Sequence, residues 1–135
     1  MVDKILLDTN ILINILRFDD FPDNWENYIK YISSISVLET QVGIRTARES
    51  RIVNSLLSVF DKKSRIVVPV LNDYYLAGKV ISRLHKPAEK IFRDALIAVC
   101  AKQIGAELWT NDKKDIPKIS KLLKIKFRVF NDSRS

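Results

Sequence analysis

The chain has 135 residues, with 23 basic side chains against 16 acidic ones and a formal net charge of +7. At about 150 residues per domain this length predicts one domain spanning 1–135, and a hydrophobic fraction of 47% excludes a disordered tail. With 3 Gly and 4 Pro there is no Gly-rich phosphate loop and no Pro-rich linker; the basic surplus favours a polyanionic partner, nucleic acid first.

Lys4 to Leu7 is a short apolar run closed by Asp8 and predicts a buried strand. Ile11, Leu12, Ile15 and Leu16 stand at helical spacing, so a helix follows over 10–17. Residues 19–24 are polar with Pro22 and predict a loop. A short helix over 25–30 and a second strand over 31–35 come next, and Ser36 opens a helix that continues, whole or broken, to Phe60. Residues 65–71 (RIVVPVL) are rich in β-branched residues and predict a third strand. Asn72 or Asp73 caps the following helix. Pro87 begins another, apolar nearly all round from Ile91 to Ile104 and ended by Gly105, as expected of a central helix. A strand over 106–109, a helix over 116–123 and a strand over 125–130 complete the chain. Strands alternating with helices argue for an α/β fold with a mainly parallel sheet.

Several chemistries fall away. Cys100 lies in an apolar run and reads as a small core residue, and His85 is the single histidine, so Cys–His and Ser–His–Asp catalysis and a zinc site lack their residues. Asp8 has no second acid two residues on, which argues against an aspartyl-phosphate enzyme. The N-terminal stretch MVDKILLDTN is no signal peptide, and no run of 18 apolar residues spans a membrane. A soluble, cytoplasmic protein is the expectation.

What remains is a set of acids. In an open parallel sheet, ligands bind outside the carboxyl ends of the strands. Asp8 ends the first strand, Glu39 lies one helical turn after the second, and Asp112 and Asp115 follow the fourth. Asp94 sits on the nearly all-apolar helix, sharing a face with Ile91 and Ala98. Crowded carboxylates repel, and hard divalent cations relieve the repulsion; oxygen ligands suit Mg²⁺ and Mn²⁺. One or two such ions can activate water against a phosphodiester without any other nucleophile. Each acid also has a structural reading. Asp8 and Asp112 could cap helices, and Asp115 would then sit in a first turn. Ser36 and Glu39 fit an S-x-x-E capping box, and Asp94 could pair with a neighbouring base on an exposed strip.

In these residues the chain resembles the PIN-domain family, in particular the VapC-type toxins of prokaryotic toxin–antitoxin pairs. The resemblance is carried by Asp8-Thr9-Asn10 after the first strand, Ile35-Ser36-Val37 leading to Glu39 and Gly43, Arg93-Asp94-Ala95-Leu96-Ile97-Ala98, and Thr110-Asn111-Asp112-Lys113-Lys114-Asp115. Ile116 stands where an aromatic often follows the last acid. It implies a three-layer α/β/α sandwich and a Mg²⁺- or Mn²⁺-dependent endoribonuclease. Asp8, Glu39, Asp94 and Asp112 would be the metal-binding acids and Asp115 a secondary one, all five catalytic, with Thr9, Thr110 and Asn111 orienting the site. It also implies a homodimer and a cognate antitoxin partner. An RNA-processing PIN nuclease without a toxin role and a catalytically silent RNA-binding module are the alternatives.

RNA is held through its phosphates. Lys113 and Lys114, inside the last acidic motif, are best placed for a scissile phosphate, and Arg45, Arg48 and Arg51 recur every third residue as one helical strip. Trp109 reads as core, and His85 as a surface residue near a helix end.

Overall fold

The computed structural model describes residues 3–131. Five strands and six helices follow one another as β1 (Lys4–Leu7), α1 (Thr9–Phe18), β2 (Ile29–Ser33), α2 (Ser34–Val42), α3 (Ala47–Lys62), β3 (Ile66–Val67), α4 (Leu71–Leu84), α5 (Ala88–Ile104), β4 (Glu107–Thr110), α6 (Asp115–Leu123) and β5 (Phe127–Val129). A 3₁₀ turn at Trp25–Asn27 replaces the helix expected over 25–30.

The sheet runs β3-β2-β1-β4-β5, and every neighbouring pair is parallel. β1 is therefore central. Alternation along it divides the core: Leu6 faces a cluster containing Ala95, Val99 and Ile119, while Ile5 and Leu7 face one containing Ile11, Leu12, Val53 and Leu57. Helices α4, α5 and α6 thus cover one face and α1 and α3 the other, which makes the three-layer α/β/α sandwich. Burial on both faces is why the strands read as apolar runs and not as alternating ones.

β2 lies two residues ahead of its expected place. Ser33 ends it, because its Oγ accepts from the Ser36 amide and caps α2. β3 keeps only Ile66 and Val67 of the run expected over 65–71. It is an edge strand pairing β2 alone, and Pro69 has no N–H to extend the ladder. Val70 is the N-cap of α4, and Asp73 at its third position accepts from the Val70 amide at 2.9 Å, so neither Asn72 nor Asp73 is itself the cap residue. Gly105 ends α5 at φ 67°, a left-handed conformation that costs glycine little. Cys100 and Trp109 are fully buried, as expected; burial pushes the Cys100 thiol up to about 12, with Asp73 a lesser cause. His85 is the exposed C-cap of α4. Among the described residues no helix is long and apolar enough to cross a membrane.

Candidate active site

The strand order dictates where the site lies. From β1 the chain steps to β2 and β3 on one side and later to β4 and β5 on the other, so the carboxyl ends of β1 and β4 flank a topological switch point. Asp8 leaves β1 at that point. Its amide donates to the Trp109 carbonyl at 2.8 Å, which extends the β1–β4 ladder by one step and fixes the residue.

The Asp8 carboxylate has no solvent exposure. Oδ1 accepts from the Thr9 amide at 2.8 Å and from Arg93 Nη2 at 3.0 Å; Oδ2 accepts from Thr110 Oγ1 at 2.7 Å. Asp8 therefore caps α1 and faces the other acids at once. Buried charge is tolerated where it is paired and hydrogen-bonded, and both conditions hold here.

Glu39 does not close a capping box with Ser36. Its Oε1 accepts from Thr9 Oγ1 at 2.5 Å, and Arg93 Nε donates to its Oε2 at 2.5 Å. Behind it stands a buried chain of hydroxyls. Ser33 Oγ donates to Ser36 Oγ at 3.4 Å, and Ser36 Oγ lies 2.8 Å from Thr9 Oγ1. Since the single Thr9 proton goes to Glu39, Ser36 donates to Thr9. The chain aims Glu39 from three separate positions of the backbone.

Asp94 is 5% exposed and sits one residue after Arg93, whose Nη1 donates to it. The exposed strip considered for it is not what the fold makes; the pair is turned inward. Burial raises the Asp94 carboxyl, Arg93 lowers it, and Asp8, Asp112 and Asp115 raise it again, for a net value of about 6. For Arg93, burial works against the charge, but the hydrogen bond to Glu39 and the charges of Asp8, Asp94 and Glu39 carry it above the ordinary guanidinium value.

Asp112 serves the helix as well as the site. Its Oδ1 accepts from the Lys114 amide at 2.7 Å and the Asp115 amide at 3.1 Å, and its Oδ2 from the Ile116 amide at 3.4 Å, which satisfies the open N-terminus of α6. Thr110 Oγ1 accepts from the Asp112 amide at 3.0 Å while donating to Asp8, so one hydroxyl aligns two acids. Asp115 opens α6 and is paired with Lys86. Carboxylate oxygens of Asp94, Asp112 and Asp115 all lie within 4.8 Å of one another, a group able to hold a metal ion.

All five predicted acids thus belong to two overlapping sets that share Asp94, one gathered by Arg93 and one able to hold an ion. Thr9 and Thr110 hydrogen-bond Glu39 and Asp8. Asn111 does not bond the acids; its Nδ2 is buried with no partner, and the residue lines a separate cavity of about 240 Å³ with Asn14, Phe21 and Phe130. Lys113 and Lys114 are exposed beside Asp112. Arg45 precedes α3 in the turn after α2, so it does not continue a helical strip with Arg48 and Arg51. Arg48 instead lines a groove of about 570 Å³ between α1, α2 and α3 with Arg17, Leu16, Ile44 and Ile52. The sequence does not single out Lys86, and it presents Arg93 only as the first residue of the Arg93–Ala98 motif and as a base neighbouring Asp94. An arginine abutting an acid on an otherwise apolar helix was the available signal for Arg93; nothing in its spacing marks Lys86.

The chain belongs to the PIN-domain family, whose model matches residues 5–122. The comparison with curated proteins gave no match. Among solved structures the chain is similar to VapBC2 from Rickettsia felis bound to a DNA fragment from its promoter, with TM-score 0.67, 22% identity and coverage of 95% of this chain and 99% of that one. It is similar to DNA-bound VapBC from Salmonella typhimurium, with TM-score 0.66, 21% identity and coverage of 96% and 98%. It is also similar to FitAcB from Neisseria gonorrhoeae, with TM-score 0.62, 21% identity and coverage of 91% and 95%. At these identities the likeness is one of fold.

Proposed function

We propose that this PIN-domain chain is a Mg²⁺- or Mn²⁺-dependent endoribonuclease, one domain over 1–135, acting as the toxin of a VapBC-type toxin–antitoxin pair. The observation that carries the reading is the convergence of Asp8, Glu39, Asp94, Asp112 and Asp115 at the sheet's switch point. The donor set is all carboxylate oxygen, which fits Mg²⁺ or Mn²⁺ and not zinc. Asp94, Asp112 and Asp115 would hold the ion, with Asp8 and Glu39 beside them. When bound, the metal supplies an activated water and charge neutralisation at a phosphodiester.

The chain's own residues do the rest. Thr110 and the hydroxyl chain through Thr9 keep Asp8 and Glu39 aimed without rearrangement. Lys113 and Lys114, exposed at the mouth, would take the RNA phosphates, and Arg45 and Arg48 would extend the hold along one flank.

The toxin role is supported by the VapBC and FitAB assemblies among the structural neighbours. The groove between α1, α2 and α3 joins apolar side chains to two arginines, Arg17 and Arg48, and two acids, Asp19 and Glu49, a mixed lining able to take an amphipathic antitoxin segment. Homodimerisation is supported by Val68, Val70, Leu71, Tyr74 and Tyr75, all exposed around the start of α4.

The test is cleavage of RNA by protein purified free of antitoxin, with Mg²⁺ or Mn²⁺ against EDTA. Cleavage is expected only with metal, and Asp8→Asn should abolish it with the fold intact by circular dichroism. Wild-type rates in Asp8→Asn would reject the assignment.

A further inference from the structure

Resting on the metal-dependent reading, we propose that Arg93 is a resident counter-cation that fills one cation position of the site, so that the chain binds a single divalent ion at Asp94, Asp112 and Asp115.

The guanidinium is spread over three carboxylates from three elements. Nε and Nη2 grip Glu39 at 2.5 and 3.1 Å, Nη2 reaches Asp8 at 3.0 Å, and Nη1 donates to Asp94. All three nitrogens are engaged. A planar fork suits such multiple grips, whereas an ammonium is a single point charge. The acids then divide. Asp8 and Glu39 converge on Arg93, Asp112 and Asp115 form no ion pair with it, and Asp94 belongs to both sets. Two ions would require both sets, and the first already encloses a cation.

Charge argues the same way. Five carboxylates less Arg93 and the Asp115 partner Lys86 leave the site at a formal −3. One divalent ion brings it to −1, but a second would make it +1 unless Arg93 left. Like charges this close to the buried Asp8 and Asp94 repel. The Arg93 side chain is 34% exposed, so it has a route outward, but leaving would uncover the fully buried Asp8.

Titration calorimetry with Mn²⁺ on the whole chain tests this. Wild type is expected to bind one ion and Arg93→Gln two, with the paired ions of the variant giving the exchange-coupled electron paramagnetic resonance signal that wild type lacks. Arg93→Lys, which keeps the charge, should return the stoichiometry to one. In case Arg93→Gln does not fold, side-chain NMR of the wild type decides: the Arg93 Nε–H should stay protected from solvent exchange at saturating Mg²⁺. Two ions in wild type, one in folded Arg93→Gln, or loss of Nε–H protection on adding Mg²⁺ would each overturn the inference while metal-dependent cleavage still stood. No ion bound by any of the three proteins would remove the metal reading, and this inference with it.

Discussion

Replacing Asp94 by Asn should stabilise the metal-free protein. Asp94 is 5% exposed, and its carboxyl is raised from 3.8 to about 6 by burial, against Arg93, and by the neighbouring acids. Each tenfold change in acidity is worth about 1.4 kcal/mol, so ionising Asp94 in the fold costs about 3 kcal/mol relative to ionising it in the unfolded chain. The folded value is the higher one. The contribution is therefore fully present below pH 3.8 and lost as pH rises through about 6. Asn has nearly the shape of the protonated acid and never ionises. Its advantage over wild type should grow from near zero in acid to about 3 kcal/mol at neutral pH. For a domain of this size that is a rise of about 10 °C in Tm. The assay is urea and thermal unfolding of both proteins in EDTA at several pH values. Mn²⁺ should then reverse the order, because it binds and stabilises only wild type. An Asn variant less stable than wild type in EDTA at neutral pH, or a difference flat with pH, would refute the argument. The proposed metal role accounts for that cost: carboxylates crowded to bind a cation repel one another in its absence.

Three further outcomes follow from the same site geometry. Mn²⁺ affinity should fall as pH drops below about 6, because a proton then competes for Asp94; calorimetry across that range checks it. Thr110→Val removes a buried hydroxyl that joins Asp8 and the Asp112 amide, and should cost about 1–3 kcal/mol in urea unfolding together with most of the RNA cleavage; a change within about 0.5 kcal/mol would show that Thr110 aligns nothing. Lys113→Ala with Lys114→Ala, made in the cleavage-dead Asp8→Asn chain, should flatten the salt dependence of RNA binding by about 0.7 in log–log slope for each phosphate no longer neutralised, and an unchanged slope would place the phosphates elsewhere.

Most of the scaffold is legible directly, because burial imposes periods that the chain must carry. β1 lies over the four residues expected of it, and α5 begins and ends where Pro87 and Gly105 predict. β2 and β3 depart from expectation for reasons outside any periodicity. One serine side chain stops β2, and the edge position of β3 leaves most of its apolar run unpaired. Four of the acids are legible from their positions after strands, and Asp94 from standing on a nearly all-apolar helix. Their roles are not. Ser36-x-x-Glu39 has the spacing of a capping box, and what draws Glu39 away is Thr9, 30 residues back, and Arg93, 54 residues on. A long side chain such as Arg93 can turn either way on its helix, and only the assembled carboxylates make the inward course the favourable one.

That inward course also changes what the net charge means. Setting the five site acids apart leaves 23 basic residues against 11 acidic ones, or +12, on the rest of the chain. If all 23 served as a surrounding field, the site would stand at −5 and need two divalent ions to approach neutrality. Arg93 and Lys86 are not part of that field; they are engaged inside the site. The surround falls to +10, the site rises to −3, and one ion suffices. Under the one-ion proposal the cleft stays short of neutral and keeps its hold on the metal, while a surround of +10 favours a polyanion. The same distribution bears on control. A guanidinium can be built to lie among these acids, so a guanidinium from a partner chain could compete there only by displacing Arg93 or by taking the Asp94–Asp112–Asp115 position.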